Sequence, residues 1–343
     1  MAYPTQRQTD VPANMNSVRG LACLLIIALH VVGDAETNGL HLPMTSDWHY
    51  VMRSVEFLRI PLFTALSGYL YAGKRLTRED FGQFWVKKAR RLVVPLLFVT
   101  VVELALRRRA YGDETTLLAA VFFSFAHLWY IQALILLFAI TSILDAYIRP
   151  SVNALVLIAL ATIMVAQAGV PLPTFFSLYG VSYLGPYFLF GIILRERQVL
   201  LRDRQMGDVA IGIVVIVLLA QQLGLWGLTV GVDLLQLPAA LAGMSFVLVL
   251  LQRFPRIGVL AAIGEYSYTI YLWHIIASAG VRTALTKAGI TSLPVIFTLC
   301  FLAGLVAPIV LYHIARRIPL LSTAVTGERW LRAAIVRPVL QRS

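Results

Sequence analysis

The stretch VRGLACLLIIALHVV, residues 18–32, decides the fold class. Apart from Arg19 and His30 it is apolar or Gly, and with its flanks it is long enough to cross a bilayer as a helix. Eleven residues separate the two polar side chains. That is close to three helical turns, so both lie on one face, roughly 16 Å apart along the axis. An ionisable group inside a membrane span is costly and marks a functional site by default. Either residue alone has an ordinary reading: an intramembrane His can be a helix–helix hydrogen bond, and an Arg at a span end is often a topological anchor. Matched on one face, they suit a phosphate-sized anion near the surface and a general base deeper in.

The rest of the chain agrees. Of 343 residues, 59% are hydrophobic and 13% charged, and the mean hydropathy is +0.79. That balance excludes a soluble domain and indicates an all-α, polytopic membrane protein, because backbone polar groups in lipid need internal partners. The alternating pattern of an outer-membrane barrel is absent. The net charge of +12 is read as the cytoplasmic excess of Lys and Arg, not as a nucleic-acid surface. Cys23 and Cys300 lie in apolar segments and imply no disulfide framework. The polar sequence GDAETNGLH after the first span is no cleavage site, so that span is read as uncleaved.

Ten spans are expected, at roughly 17–34, 55–73, 92–106, 127–147, 151–169, 183–195, 208–226, 234–252, 265–286 and 294–314. Residues 114–126 are apolar but too short to span and suit a re-entrant or interfacial helix. With both termini in the cytoplasm, 22 of the 29 Lys and Arg fall on that side, which supports N-in, C-in topology. The expected organisation is a cytoplasmic N-terminus (1–16), a transmembrane domain (17–314) and a basic amphipathic tail on the inner leaflet (315–343). The run Arg107, Arg108 and Arg109 falls outside and suits an acidic acceptor, or is simply a charged loop.

Four further segments carry candidate chemistry. In RIPLFTALSGYLYAGKR, residues 59–75, Pro61 interrupts the helix ladder and Ser67-Gly68 permits close backbone approach. Arg59 needs a partner, for which Glu56 is one turn away. In FWVKKARRLVVP, residues 84–95, a basic cluster before a span is either topological or a dock for an anionic cofactor. Lys74, Arg75, Arg90 and Arg91 are its candidate ligands, with Ser67. In HLWYIQAL, residues 127–134, His127, Trp129 and Tyr130 are interfacial anchors or the lining of a substrate mouth. In IGEYSYTIYLWH, residues 263–274, Ser267, Tyr271 and His274 share one helical stripe, which in lipid must face protein or a water-filled cavity.

In this order and spacing, the Arg-Gly…His span, LFTALSGYLYAGK, the Arg-rich run ending at Pro95, HLWYI, YLGPYFLFGIIL and YSYTIYLWH resemble membrane-bound acyltransferase family 3. The resemblance spans about residues 15–315. It implies a bundle of about ten helices in a bacterial inner membrane. Acyl-coenzyme A (acetyl or succinyl) would be the co-substrate, taken from the cytoplasm, with no metal. The acceptor would be a hydroxyl of a polysaccharide or lipid-linked oligosaccharide at the outer face. By motif position, Arg19 and His30 match the family's essential arginine and histidine, and Ser67, Gly68 and Tyr69 its Ser-Gly-aromatic element. Trp129 matches its outer Trp, and Tyr271 and His274 its Tyr-Leu-x-His element. Two departures stand out. Arg91 precedes Pro95 by a looser spacing than the family's. The 29 residues of 315–343 hold no hydrolase-like domain, so a second acyl-transfer step is not expected.

The mechanism these residues suggest has His30 deprotonating the acceptor hydroxyl, with Tyr271 or His274 stabilising the oxyanion. Direct transfer and a covalent acyl intermediate on His30 or Ser67 both stay open. Arg59 or Arg282 would meet the free carboxylate of a succinyl group. The competing class is a transporter or flippase for a lipid-linked sugar, although no paired halves of the kind common in transporters are visible.

Overall fold

The computed structural model describes residues 11–169, 171–225 and 236–329, and these are helical apart from loops and one isolated antiparallel bridge, Phe123 with Phe175. Arg7 and residues 330–343 lie outside the described residues, as does the Glu56 side chain. The chain opens with α1 (Met15–Val32), the short α2 (Asp47–Ser54) and α3 (Glu56–Ala72). Then come α4 (Phe81–Lys88), a π turn (Ala89–Val93), α5 (Val94–Tyr111), α6 (Leu117–Phe122) and a 3-10 turn (Ala126–Leu128). The bundle continues with α7 (Trp129–Tyr147), α8 (Val152–Gln167), α9 (Leu178–Glu196), α10 (Arg204–Leu225) and α11 (Gln236–Arg253). It ends with α12 (Gly258–Glu265), α13 (Ser267–Lys287), α14 (Leu293–Ala315) and α15 (Pro319–Thr326).

Among the described residues, five segments are long and apolar enough to cross a membrane by themselves: Met15–Val32, Ala126–Tyr147, Leu178–Glu196, Arg204–Leu223 and Leu293–Ala315. Helices also occupy the other five expected positions, but α3, α5 and α13 carry charge and α8 and α11 yield shorter apolar runs. Residues 114–126 hold only the six-residue α6, the bridge at Phe123 and part of the 3-10 turn. Pro61 lies within α3 without ending it, and the interruption falls earlier, at Val55 between α2 and α3. Pro61 thus removes one ladder bond while the helix continues.

Backbone contact sets the central packing. The place a Cβ would take on Gly68 (α3) is filled by the Phe188 carbonyl of α9, and that on Gly191 (α9) by the Ala65 carbonyl of α3. Gly20 (α1) and Gly264 (α12) make the same exchange with Leu260 and Asn16. Association without a hydrophobic driving force relies on such small residues to bring helices into van der Waals contact. Large side chains fill the space around the crossings: Leu62, Tyr69, Tyr187, Phe188 and Ile192 are almost wholly buried.

The segment from 315 begins with Arg316, near Glu328 at 3.9 Å. Its helix α15 then packs into the bundle, with Ser322, Val325 and Thr326 buried. Trp273 Nε1 of α13 donates to the Val325 carbonyl at 3.3 Å, and Gly327 (φ 70°) sits against the Arg91 backbone. The π turn has a simple consequence. It closes i→i+5 rings and holds one residue more than an α turn, which accommodates the loose spacing between Arg91 and Pro95. Replacing Gly68 with Val inserts atoms into a backbone contact. Thermal unfolding in detergent is expected to show a loss of at least about 2 kcal/mol, the upper range for overpacking, whereas Gly212→Val, where a Cβ meets nothing nearby, leaves the midpoint near wild type.

Candidate active site

Two cavities enter the bundle from opposite ends of α1. The first, about 450 Å³, is lined by Arg19, Ser67, Lys74, Lys87, Lys88 and Arg91, with Ser267 and Tyr268 at its wall. The second, about 330 Å³, is lined by His30, Asp34, His49, Arg59, His127 and Trp129. Phe63, Tyr130 and Tyr271 line both, so the cavities meet at an aromatic septum. Arg19 and His30 therefore do share a face of α1, and each opens into a different chamber.

The basic cavity is lined by side chains from α1, α3, α4, α7 and α13, with the π turn and the loop after α3. Arg19 Nη2 donates to Ser267 Oγ at 2.6 Å and Nη1 to Asn16 Oδ1 at 3.4 Å. The α4–π-turn helix presents Gln83, Lys87, Lys88 and Arg91 along one wall. Lys88 Nζ lies 3.3 Å from the centroid of the Phe138 ring, a cation–π contact that keeps the ammonium directed inward. Lys74 pairs with Asp80 at 3.0 Å at the mouth. The hydrogen bond from Lys74 is the main cause that holds the Asp80 carboxyl below its ordinary value. The Tyr268 hydroxyl is buried without a hydrogen-bond partner, and Ser67 Oγ donates to the Phe63 carbonyl at 2.8 Å.

Three imidazoles gather beside the second cavity. The His30 ring lies 5.1 Å from that of His274 and 6.2 Å from that of His127, and the latter two are 5.4 Å apart. His274 is wholly buried behind His30 and lines neither cavity. Its Nδ1 is 2.9 Å from the Ile270 carbonyl and 2.8 Å from that of Tyr271. Carbonyls only accept, so Nδ1 carries the proton. The buried Nε2, which has no hydrogen-bond partner, is then a bare lone pair. Tyr271 donates its hydroxyl proton to the His127 carbonyl. Trp129 stacks on Tyr179 at 5.7 Å, and Arg59 is buried in the cavity wall.

Other sequence candidates stand elsewhere. Arg75 pairs with Asp145, its Nε donating to Oδ1 at 3.0 Å, and Tyr71 donates to the other oxygen at 2.8 Å. Neither Arg75 nor Arg90 lines a cavity, and neither do Arg107, Arg108 or Arg109. Arg107 pairs with Glu103 at 3.1 Å, and Arg108 donates to the Thr115 carbonyl at 2.8 Å. Arg282 is engaged with the Gly39 carbonyl. Sequence reading missed Lys87, Lys88, Tyr268, His49 and Glu103. The lysines stood within the quoted basic run, and their helical spacing with Arg91 was the available signal. Among the described residues no group of His, Cys, Asp and Glu is arranged to hold a metal ion.

A helical membrane protein with a basic chamber and a histidine chamber joined end to end has the layout of a group-transfer enzyme. The family profile described as "Acyltransferase domain" matches residues 13–313. The chain belongs to that family, acyltransferase family 3. No curated protein and no solved structure matches the chain. Asp145→Ala leaves Arg75 with Glu196 at 3.5 Å but removes the acceptor of the buried Tyr71 hydroxyl. Chemical denaturation should show a loss of about 1–3 kcal/mol, as for a buried polar group left unsatisfied. Arg91→Gln, on an exposed residue, should stay within about 0.5 kcal/mol of wild type.

Proposed function

We propose that the protein is an acyl-coenzyme A-dependent O-acyltransferase of a bacterial inner membrane, with ten spans and both termini in the cytoplasm. Its acceptor is a hydroxyl of an extracytoplasmic or lipid-linked polysaccharide. The observation that carries this reading is the pair of cavities joined at Phe63, Tyr130 and Tyr271. The basic cavity suits the donor's phosphates, with Arg19, Lys87, Lys88 and Arg91 as ligands. The pantetheine arm is about as long as the roughly 16 Å between Arg19 and His30. It can place the thioester at the septum while the nucleotide stays outside.

The acceptor enters the other chamber, where His30 takes the proton from its hydroxyl as the oxygen attacks the thioester carbon. The tetrahedral intermediate collapses, the C–S bond breaks, and the thiolate leaves with the proton that His30 returns. Positioned base catalysis of this kind contributes about 10²–10⁴-fold. His274, whose ring lies 5.1 Å from that of His30, packs behind it and limits its orientation. The Tyr271 proton is engaged with His127, so Tyr130 is the better oxyanion donor at the septum. Direct transfer is favoured over a Ser67 carrier, because Ser67 stands in the donor cavity with its proton on the Phe63 carbonyl.

Purified protein in nanodiscs with acceptor extract and a panel of acyl-coenzyme A thioesters should release free thiol with one donor, and His30→Ala should abolish release. Silence from folded wild-type protein across the panel would replace this reading with transport of a lipid-linked sugar. Acetyl is the family's ordinary group. Arg59, a cation in the wall of the histidine cavity, would suit the free carboxylate of a succinyl group. If succinyl is the group moved, Arg59→Gln will lower succinyl transfer at least tenfold relative to acetyl transfer. An unchanged ratio assigns the group to a neutral acyl chain.

A further inference from the structure

His127 is held more firmly than a lining residue requires. The 3-10 turn that carries it begins at Ala126, a non-glycine residue at φ 46°. Backbone in this region costs about 1–3 kcal/mol and persists where the surroundings over-determine it. Two contacts supply that: Tyr271 donates to the His127 carbonyl, and His127 Nε2 lies 3.3 Å from the Leu272 carbonyl. The second contact also assigns a proton, because a carbonyl only accepts and Nε2 must donate. A neutral ring would then present a bare Nδ1.

That Nδ1 faces Glu103 Oε2 at 3.6 Å. The other carboxylate oxygen, Oε1, accepts from Arg107 Nε at 3.1 Å. Both facing atoms are buried and neither has a hydrogen-bond partner. Two buried lone pairs directed at each other are costly, and one proton between them removes the cost whichever atom holds it. Resting on the acyl-transfer reading above, we propose that Glu103 and His127 share a buried proton and form a positioning pair for the histidine cluster. Glu103, held by Arg107, fixes the ring state of His127, and His127 fixes the packing of His274 and His30. The groups around the pair are His30 of α1 and Tyr271 and His274 of α13 against the His127 ring, Arg107 of α5 on Glu103, Asp113 at 4.0 Å from Arg107, and Arg59 of α3 in the same cavity wall as His127. Glu103 lines neither chamber, so its effect falls on turnover and not on substrate binding.

The test compares Glu103→Gln, His127→Asn and the double variant by thiol release, with nitrogen NMR of histidine-labelled wild type. Glu103→Gln should lower kcat at least tenfold with both KM values within twofold. In the His127→Asn background it should change kcat less than twofold. The His127 Nδ1 signal, identified by its loss in His127→Asn, should be that of a protonated or hydrogen-bonded nitrogen. Wild-type kcat in Glu103→Gln, a loss carried by KM, multiplying losses in the double variant, or a bare Nδ1 signal would each overturn the pair. Should Glu103→Gln fail to fold, Glu103→Asp retracts the carboxylate by one methylene and should lower kcat at constant KM. Absence of thiol release by wild type would instead overturn acyl transfer, while the spectrum still decides the pair.

Discussion

A guanidinium and an imidazole can ride on one face of an apolar helix only where that face is kept from lipid. In this protein α1 meets the requirement by bordering a cavity at each end. The rest of the bundle follows from it. Helices α3 and α13 pack on α1, and with α7 they supply the shared wall of Phe63, Tyr130 and Tyr271. The outer helices need only face lipid, and α10 and α14 are correspondingly apolar and largely exposed.

Close walls around open chambers demand uneven packing. Glycine crossings between α3 and α9, and between α1 and α12, bring backbones together beside the cavities. They spare side-chain volume where the chambers need none. The residues next to these crossings are the polar ones: Ser67 precedes Gly68, and Arg19 precedes Gly20. Each crossing thus fixes the position of a chamber-lining side chain through the rigid helix backbone.

Much of this was legible in the sequence because it is local. The Arg19–His30 alignment needs only helical periodicity, as does the stripe of Ser267, Tyr271 and His274. Close approach at Gly68 follows from residue size. What stayed hidden depends on segments distant in sequence. Asp145, seventy residues on, claims Arg75, and so removes from the basic cavity a residue that the charged run placed there. The gathering of His30, His127 and His274 joins three helices, and no spacing rule connects them. Glu103 reads as one more residue near a charged run until the fold sets it against His127. The π turn was visible only as a loose Arg-to-Pro spacing, whose geometric meaning appears when the helix is seen to widen there.

The aromatic septum also has an electrical side. With the chambers open to water on opposite faces, as the proposed function requires, a transmembrane voltage would drop mainly over the partition of Phe63, Tyr130 and Tyr271. A unit charge crossing the full potential exchanges about 2.3 kcal/mol per 100 mV. In the proposed function the three rings would then be an insulator as well as a wall. They would let donor and acceptor approach from opposite faces of a membrane without opening an ion path between them.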